Sequence, residues 1–153
     1  MSFSSTAIAS GIAALSISGV TVKDIDEIPE SVLSRDCPVL FPSPDGWMTG
    51  GNGEPGEGPT TFGTPTTRLW TFNRGYRYVY LHSQVGAGRG LLDVISAMST
   101  KADAIITAIT KLDVTDVDVK NVAISEFGVL TSPDGKSFFG FTVDITMRER
   151  LNN

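Results

Sequence analysis

Between Gly90 and Leu112 the sequence GLLDVISAMSTKADAIITAITKL places an apolar residue at every third or fourth position. Leu91, Val94, Ile95, Met98, Ala102, Ile105, Ile109 and Leu112 fall on one broad stripe, which predicts a long helix with one side to bury. Asp93 near its start and Lys111 near its end both suit the helix dipole. A helix of this kind needs an apolar layer to lie on, and the segments around it read as strands that provide one.

Before the helix, RLWTFNRGYRYVYLHSQ (68–84) alternates, with Tyr76, Tyr78 and Tyr80 on one face and Arg77, Val79 and Leu81 on the other. Gly75 marks either a bulge or a close backbone approach. After the helix, VDVKNVAISEFGVL and KSFFGFTVDITMRER flank the turn Ser132-Pro133-Asp134-Gly135, a hairpin signal. In the second of these strands Phe139, Phe141, Val143, Ile145 and Met147 face one way. Thr142, Asp144 and Thr146 face the other, toward solvent or another subunit.

Toward the N-terminus, Ile8, Ile12 and Leu15 are spaced for a helix over about 4–16, with Ser4, Ser5 and Thr6 offering N-cap oxygens that accept from its free amides. Ser18-Gly19 stops it, VTVKDI follows as a short strand, and CPVLFP (37–42) is a second strand bounded by prolines. The expectation is an α+β fold: a mainly antiparallel sheet of four to five strands with two helices packed on one face. The element order is α-β-β-β-α-β-β, in a single domain over 1–153 with a loop inserted at 43–67.

That insertion is the least ordinary part of the chain. From Gly46 to Thr67 there are seven glycines and three prolines, with no lysine or arginine. Structureless loops beyond about 12–15 residues are uncommon in compact domains and are usually functional or disordered.

Formal net charge is -5, which argues against a general nucleic-acid binder. The one cysteine, Cys37, allows no intrachain disulfide and points to intracellular synthesis. No charged residue precedes Lys23, yet the segment lacks the basic start of a signal peptide and is diluted by serine, threonine and glycine. We therefore expect a docked helix there, with neither membrane nor export.

Motifs for chemistry fail on spacing. GAGRG (86–90) lies between strand and helix, but the third residue after Gly88 is Leu91, where a dinucleotide fingerprint needs glycine. His82, the one histidine, has no nucleophile elbow near it in sequence. Two acidic clusters, Asp24/Asp26/Glu27/Glu30 and Asp113/Asp116/Asp118, lack the ligand spacing and turn glycine of a calcium loop. No catalytic, cofactor-binding or metal-ligating residue is assigned, and no cofactor is expected. Arg68, Arg74, Arg77 and Arg89, interleaved with Trp70, Phe72, Tyr76, Tyr78 and Tyr80, read instead as a protein–protein interface.

Taken in order, the short helix, GVTVKDIDEIPESV, CPVLFP, the long insertion, the aromatic strand, one long helix and a C-terminal hairpin resemble the tail-terminator or tail-completion proteins of long-tailed bacteriophages. The resemblance covers nearly the whole chain in element order. It implies a structural virion protein rather than an enzyme, made in the host cytoplasm and placed at the junction of phage tail and neck. The partners it implies are copies of the chain itself in a ring, as a hexamer, the tail-tube protein below and a neck or head–tail connector protein above. DNA would only pass through. The insertion would then reach a neighbouring subunit or the tube, with Trp47, Met48 and Phe62 as apolar anchors and Arg68, Trp70, Arg74, Tyr76, Arg77, Tyr78 and Arg89 as further interface residues. Two alternatives stand beside it: another neck or tail component, such as a head-completion stopper or tube-like protein, and a small ligand-binding protein or hydrolase using His82.

Overall fold

The computed structural model describes residues 5–50, 53–55, 69–86 and 90–152, with 53–55, 69–70 and 151–152 described by their backbone alone. The fold is α+β, with two α-helices and a mixed, mainly antiparallel sheet. The three-to-four spacing read in the sequence sets both helices. Helix α1 (Ser5–Ala13) buries Ile8, Ala9 and Ile12, and helix α2 (Leu91–Thr110) buries Val94, Met98, Ala102, Ile105 and Ile109. Asp93 accepts the Gly90 N–H at 3.0 Å, so its carboxylate caps the amide end of α2 as well as meeting its dipole.

Seven strands make the sheet: β1 (Thr21–Val22), β2 (Val39–Pro42), β3 (Met48–Thr49), β4 (Gly53–Pro55), β5 (Leu69–Gln84), β6 (Val117–Thr131) and β7 (Ser137–Asn152). They lie in the order β1-β2-β5-β7-β6, and β1 runs parallel to β2. The two long strands β5 and β7 pair antiparallel from Leu69 opposite Asn152 to Gln84 opposite Phe138. The expected hairpin joins β6 to β7; at its turn Gly135 has φ of 87°, a left-handed angle that favours glycine.

Four or five strands were expected, and the two additional ones come from the Gly/Pro-rich insertion. Met48 and Thr49 pair with Tyr76 and Gly75, and Gly53–Pro55 pair with Phe72–Trp70. The first part of that insertion is therefore sheet edge rather than loop. Glycine and proline are tolerated there because an edge strand needs only one side of its backbone bonded. The first strand is also shorter than VTVKDI, for a local reason. Asp24 accepts the Ile25 N–H at 2.6 Å, while Glu27 accepts the Asp24 N–H at 3.2 Å. This reciprocal cap ends β1 by starting a 3₁₀ turn at Ile25–Glu27 and gives the first acidic cluster a structural task.

Alternation divides the sheet's side chains between two cores. On one face Leu40, Tyr76, Tyr78, Tyr80, Phe139, Phe141, Val143, Ile145 and Met147 share a core with the buried residues of both helices. Tyr80 stacks on Phe141 with ring centroids 4.5 Å apart. The other face carries a smaller cluster of Val32, Val39, Phe41, Leu81 and Phe138, packed with Ile28 and Cys37 of the segment leading into β2. On β7 a side chain on Gly140 would run into the Tyr80 carbonyl of β5, so glycine is required. At Gly75 the close neighbour is the Thr49 side chain of β3, and the ladder between β5 and β7 is continuous there; its bulge lies between Leu81 and Ser83. Neither reading offered for Gly75, a bulge or a close backbone approach, is what is seen: a side chain crowds it.

Candidate interaction surface

Period-two alternation decides which predicted residues can meet a partner. Arg77 lies on the face opposite the three tyrosines, and its guanidinium is half exposed. It pairs with Asp144 of β7 at 2.9 Å, and Asp144 also accepts the Ser125 hydroxyl of β6 at 2.9 Å. Ser125 in turn lies 2.6 Å from the Thr142 hydroxyl, so one polar chain ties β5, β7 and β6 across the open face. The hydrogen bond and charge of Asp144 raise the Arg77 pKa above its already high ordinary value. Asn73, Thr146 and Arg148 on the same face are exposed. Beside Arg77 and Asp144 lies a cleft of about 430 Å³, lined also by Asp45, Thr49, Gly75 and Thr146.

Tyr76 and Tyr78 are corrected from interface residues to core residues, being fully buried under the helices. Arg74 shares their face: it is 7% exposed and lies 3.3 Å from Glu149, itself 1% exposed, which also accepts the Tyr76 hydroxyl at 2.9 Å. The guanidinium also stands over the Phe72 ring, 4.9 Å from its centroid. Charge compensation inside the protein is thus what the sequence presents as a surface arginine. Burial raises the pKa of all three tyrosine hydroxyls, and for Tyr76 the bond to Glu149 adds to it.

Trp47 too is turned inward. Its ring lies 5.0 Å from that of Tyr76, and its carbonyl accepts the Arg77 N–H at 2.7 Å. It anchors the start of the insertion to its own sheet and is partly buried there. Met48 is exposed, as an interface residue must be. Trp70 pairs through its backbone with Leu151 of β7 and Pro55 of β4. Phe62, Arg68 and Arg89 lie outside the described residues.

The insertion has a definite geometry at its ends. Pro55 is paired with Trp70, next to Leu69 at the start of β5, so β4 ends and β5 begins at one point of the sheet. That point is one end of the long β5–β7 ribbon, where Leu69 meets Asn152.

His82 Nδ1 is 2.7 Å from the Tyr80 hydroxyl, a contact that occupies one ring nitrogen with a phenol from the core. Residues 87–89 of the GAGRG stretch are outside the described residues. The second acidic cluster is structural in part: Asp118 pairs with Arg150 at 3.0 Å, and Asp116 turns the chain into β6 with φ of 62°. The residues that sequence reasoning missed are Glu149, Asp144 and Ser125. Asp144 was placed on the outward face, but no local pattern tells that Arg77 stands across the ladder from it. No helix among the described residues is long and apolar enough to cross a membrane. No protein-family model matches the chain, and no curated protein sequence is significantly similar to it.

Proposed function

We propose that the chain is a structural subunit that assembles with copies of itself, as a tail terminator that caps the tail tube and joins it to the neck of a long-tailed phage. The observation that carries this reading is that the two strands flanking the insertion meet at one end of the sheet, Pro55 of β4 pairing with Trp70 of β5. A segment that joins two strands at such an end can reach past its own domain. Glycine and proline there lower the cost of adopting unusual angles and of ordering on contact. The polar face of β5, β7 and β6, with Arg77 and Asp144 exposed, supports the same reading, since it offers fixed charges to a second molecule. So does the element order, with both helices sharing the core on the opposite face.

The partners on this reading are the chain itself, the tail-tube protein and a neck protein, and the place is the virion. The test is the mass of the purified chain by light scattering, alone and with tail-tube protein, before and after shortening 56–67. A discrete oligomer of more than two chains in the presence of tail-tube protein, lost on shortening, is the expected result. A chain that stays below that mass under every condition overturns the proposal.

A further inference from the structure

Strand β6 is the last in the sheet, and among the described residues no strand pairs with its outer side. Fifteen residues of unpaired edge form a template for another strand unless something blunts it. Bulges do interrupt β6, between Val119 and Asn121 and between Ser125 and Gly128, with Glu126 at φ of 52°. They bracket a regular segment, Asn121–Ser125, whose middle residue is Ala123.

Around Ala123 the strand reads alike in both directions but for Asp118, which falls against Gly128. Val122 matches Ile124, Asn121 matches Ser125, Lys120 meets Glu126, Val119 matches Phe127 and Val117 matches Val129. Faces match as well as types. Val122, Ile124, Val119 and Phe127 are partly buried against the helix-side core, whereas Asn121 and Ser125 pair with Thr146 and Thr142 of the open face. Pairing two β6 strands antiparallel about Ala123 therefore keeps every side chain on its own face, whereas a slip by one residue would invert them all. It also sets Lys120 opposite Glu126 twice, once on each side of the axis. The strand also carries exposed apolar surface of its own: Val129 is 56% exposed.

We infer that the free chain forms a two-fold dimer through β6, the two sheets joining antiparallel about Ala123 into one. Both partners use the same patch, as an isologous contact requires. Such a contact makes the two ends of an assembly equivalent, so it does not belong inside a polar ring with one face to the tube and one to the neck. The dimer is a state of the chain outside that ring, in which the edge is covered, and it stands whether or not the phage reading does.

Sedimentation equilibrium of the full chain tests it, with an expected mass twice the 16.3 kDa of one chain. Lys120 and Glu126 are both exposed, so charge changes there leave the subunit's own packing intact. Lys120→Glu should weaken self-association roughly ten-fold, and Lys120→Glu with Glu126→Lys should restore it. Independently, Ala123→Cys should form a disulfide-linked dimer on mild oxidation, as residues facing each other across a dyad do, while Val129→Cys and the wild-type chain with Cys37 alone should not. A monomer at all concentrations, a dimer indifferent to Lys120→Glu, or equal cross-linking of Ala123→Cys and Val129→Cys would each overturn the inference.

Discussion

The Tyr76 hydroxyl donates to Glu149 Oε2 at 2.9 Å, from one long strand to the other on the helix-covered face. Arg74 reaches the other carboxylate oxygen at 3.3 Å, and both charged groups are buried. Taking two ions out of water is costly, and each is tolerable here because the other is present. Glu149→Leu leaves the Arg74 guanidinium buried without its carboxylate and should cost about 3–5 kcal/mol in urea unfolding. Arg74→Leu with Glu149→Leu should cost clearly less than the two single changes added together. Additive losses would show that the pair does not act as a unit.

All three tyrosines of the chain, Tyr76, Tyr78 and Tyr80, are buried, and burial raises each above the ordinary phenol value of 10.0. The folded state thus holds phenol protons that the unfolded chain releases near pH 10. Stability is unaffected by these groups below that pH and is lost as pH rises past it. Phenolate absorbance near 295 nm should stay flat through pH 10 and then rise together with unfolding. A smooth titration centred at pH 10 with circular dichroism unchanged would contradict their burial.

Gly140 and Gly75 separate two kinds of crowding. A Cβ at Gly140 meets the Tyr80 carbonyl and the Leu81 backbone, which the sheet holds in place, whereas at Gly75 it meets the end of the Thr49 side chain. Gly140→Ala should therefore cost about 3 kcal/mol or more, and Gly75→Ala about 1 kcal/mol. Comparing the two by thermal melting checks this, with the order of the two losses as the deciding observation.

Cys37 is half buried beside Val32 and Phe41, and burial, with Asp36 adding to it, raises its thiol pKa from 9.0 to about 11. At pH 8 its thiolate fraction is then about 100-fold lower than that of a free thiol, and alkylation should slow by about that factor. The same shift draws stability away as pH climbs from 9 toward 11, because the unfolded chain loses its proton first. Alkylation of the native chain at the rate of the urea-unfolded chain would show the site to be open.

Much of this architecture was legible because periodicity carries burial directly. The α2 stripe named Val94, Met98, Ala102, Ile105 and Ile109 as inward, although Ile95 of the same stripe is exposed, and alternation put Phe139 to Met147 on one face of β7. The same alternation placed Tyr76 and Tyr78 on one face of β5, but composition drew them toward an interface because aromatic residues serve both settings. Arg74 shows the limit plainly: its partner Glu149 is 75 residues away, and no spacing rule reports so distant a charge. Likewise β3 and β4 carry little strand propensity of their own and exist because β5 offers them an edge. Alternation did separate Arg77 from the tyrosines, and Arg77 is the predicted arginine described on the open face.

We propose that this chain ends a tail tube and that the insertion between Pro55 and Leu69 is the part that reaches it. The most direct test is the length of tubes assembled from tail-tube protein with and without the purified chain, measured by electron microscopy. The account predicts arrested tubes carrying a ring at one end, and unarrested tubes when residues 56–67 are shortened. Tubes of unchanged length in the presence of the full chain would contradict it.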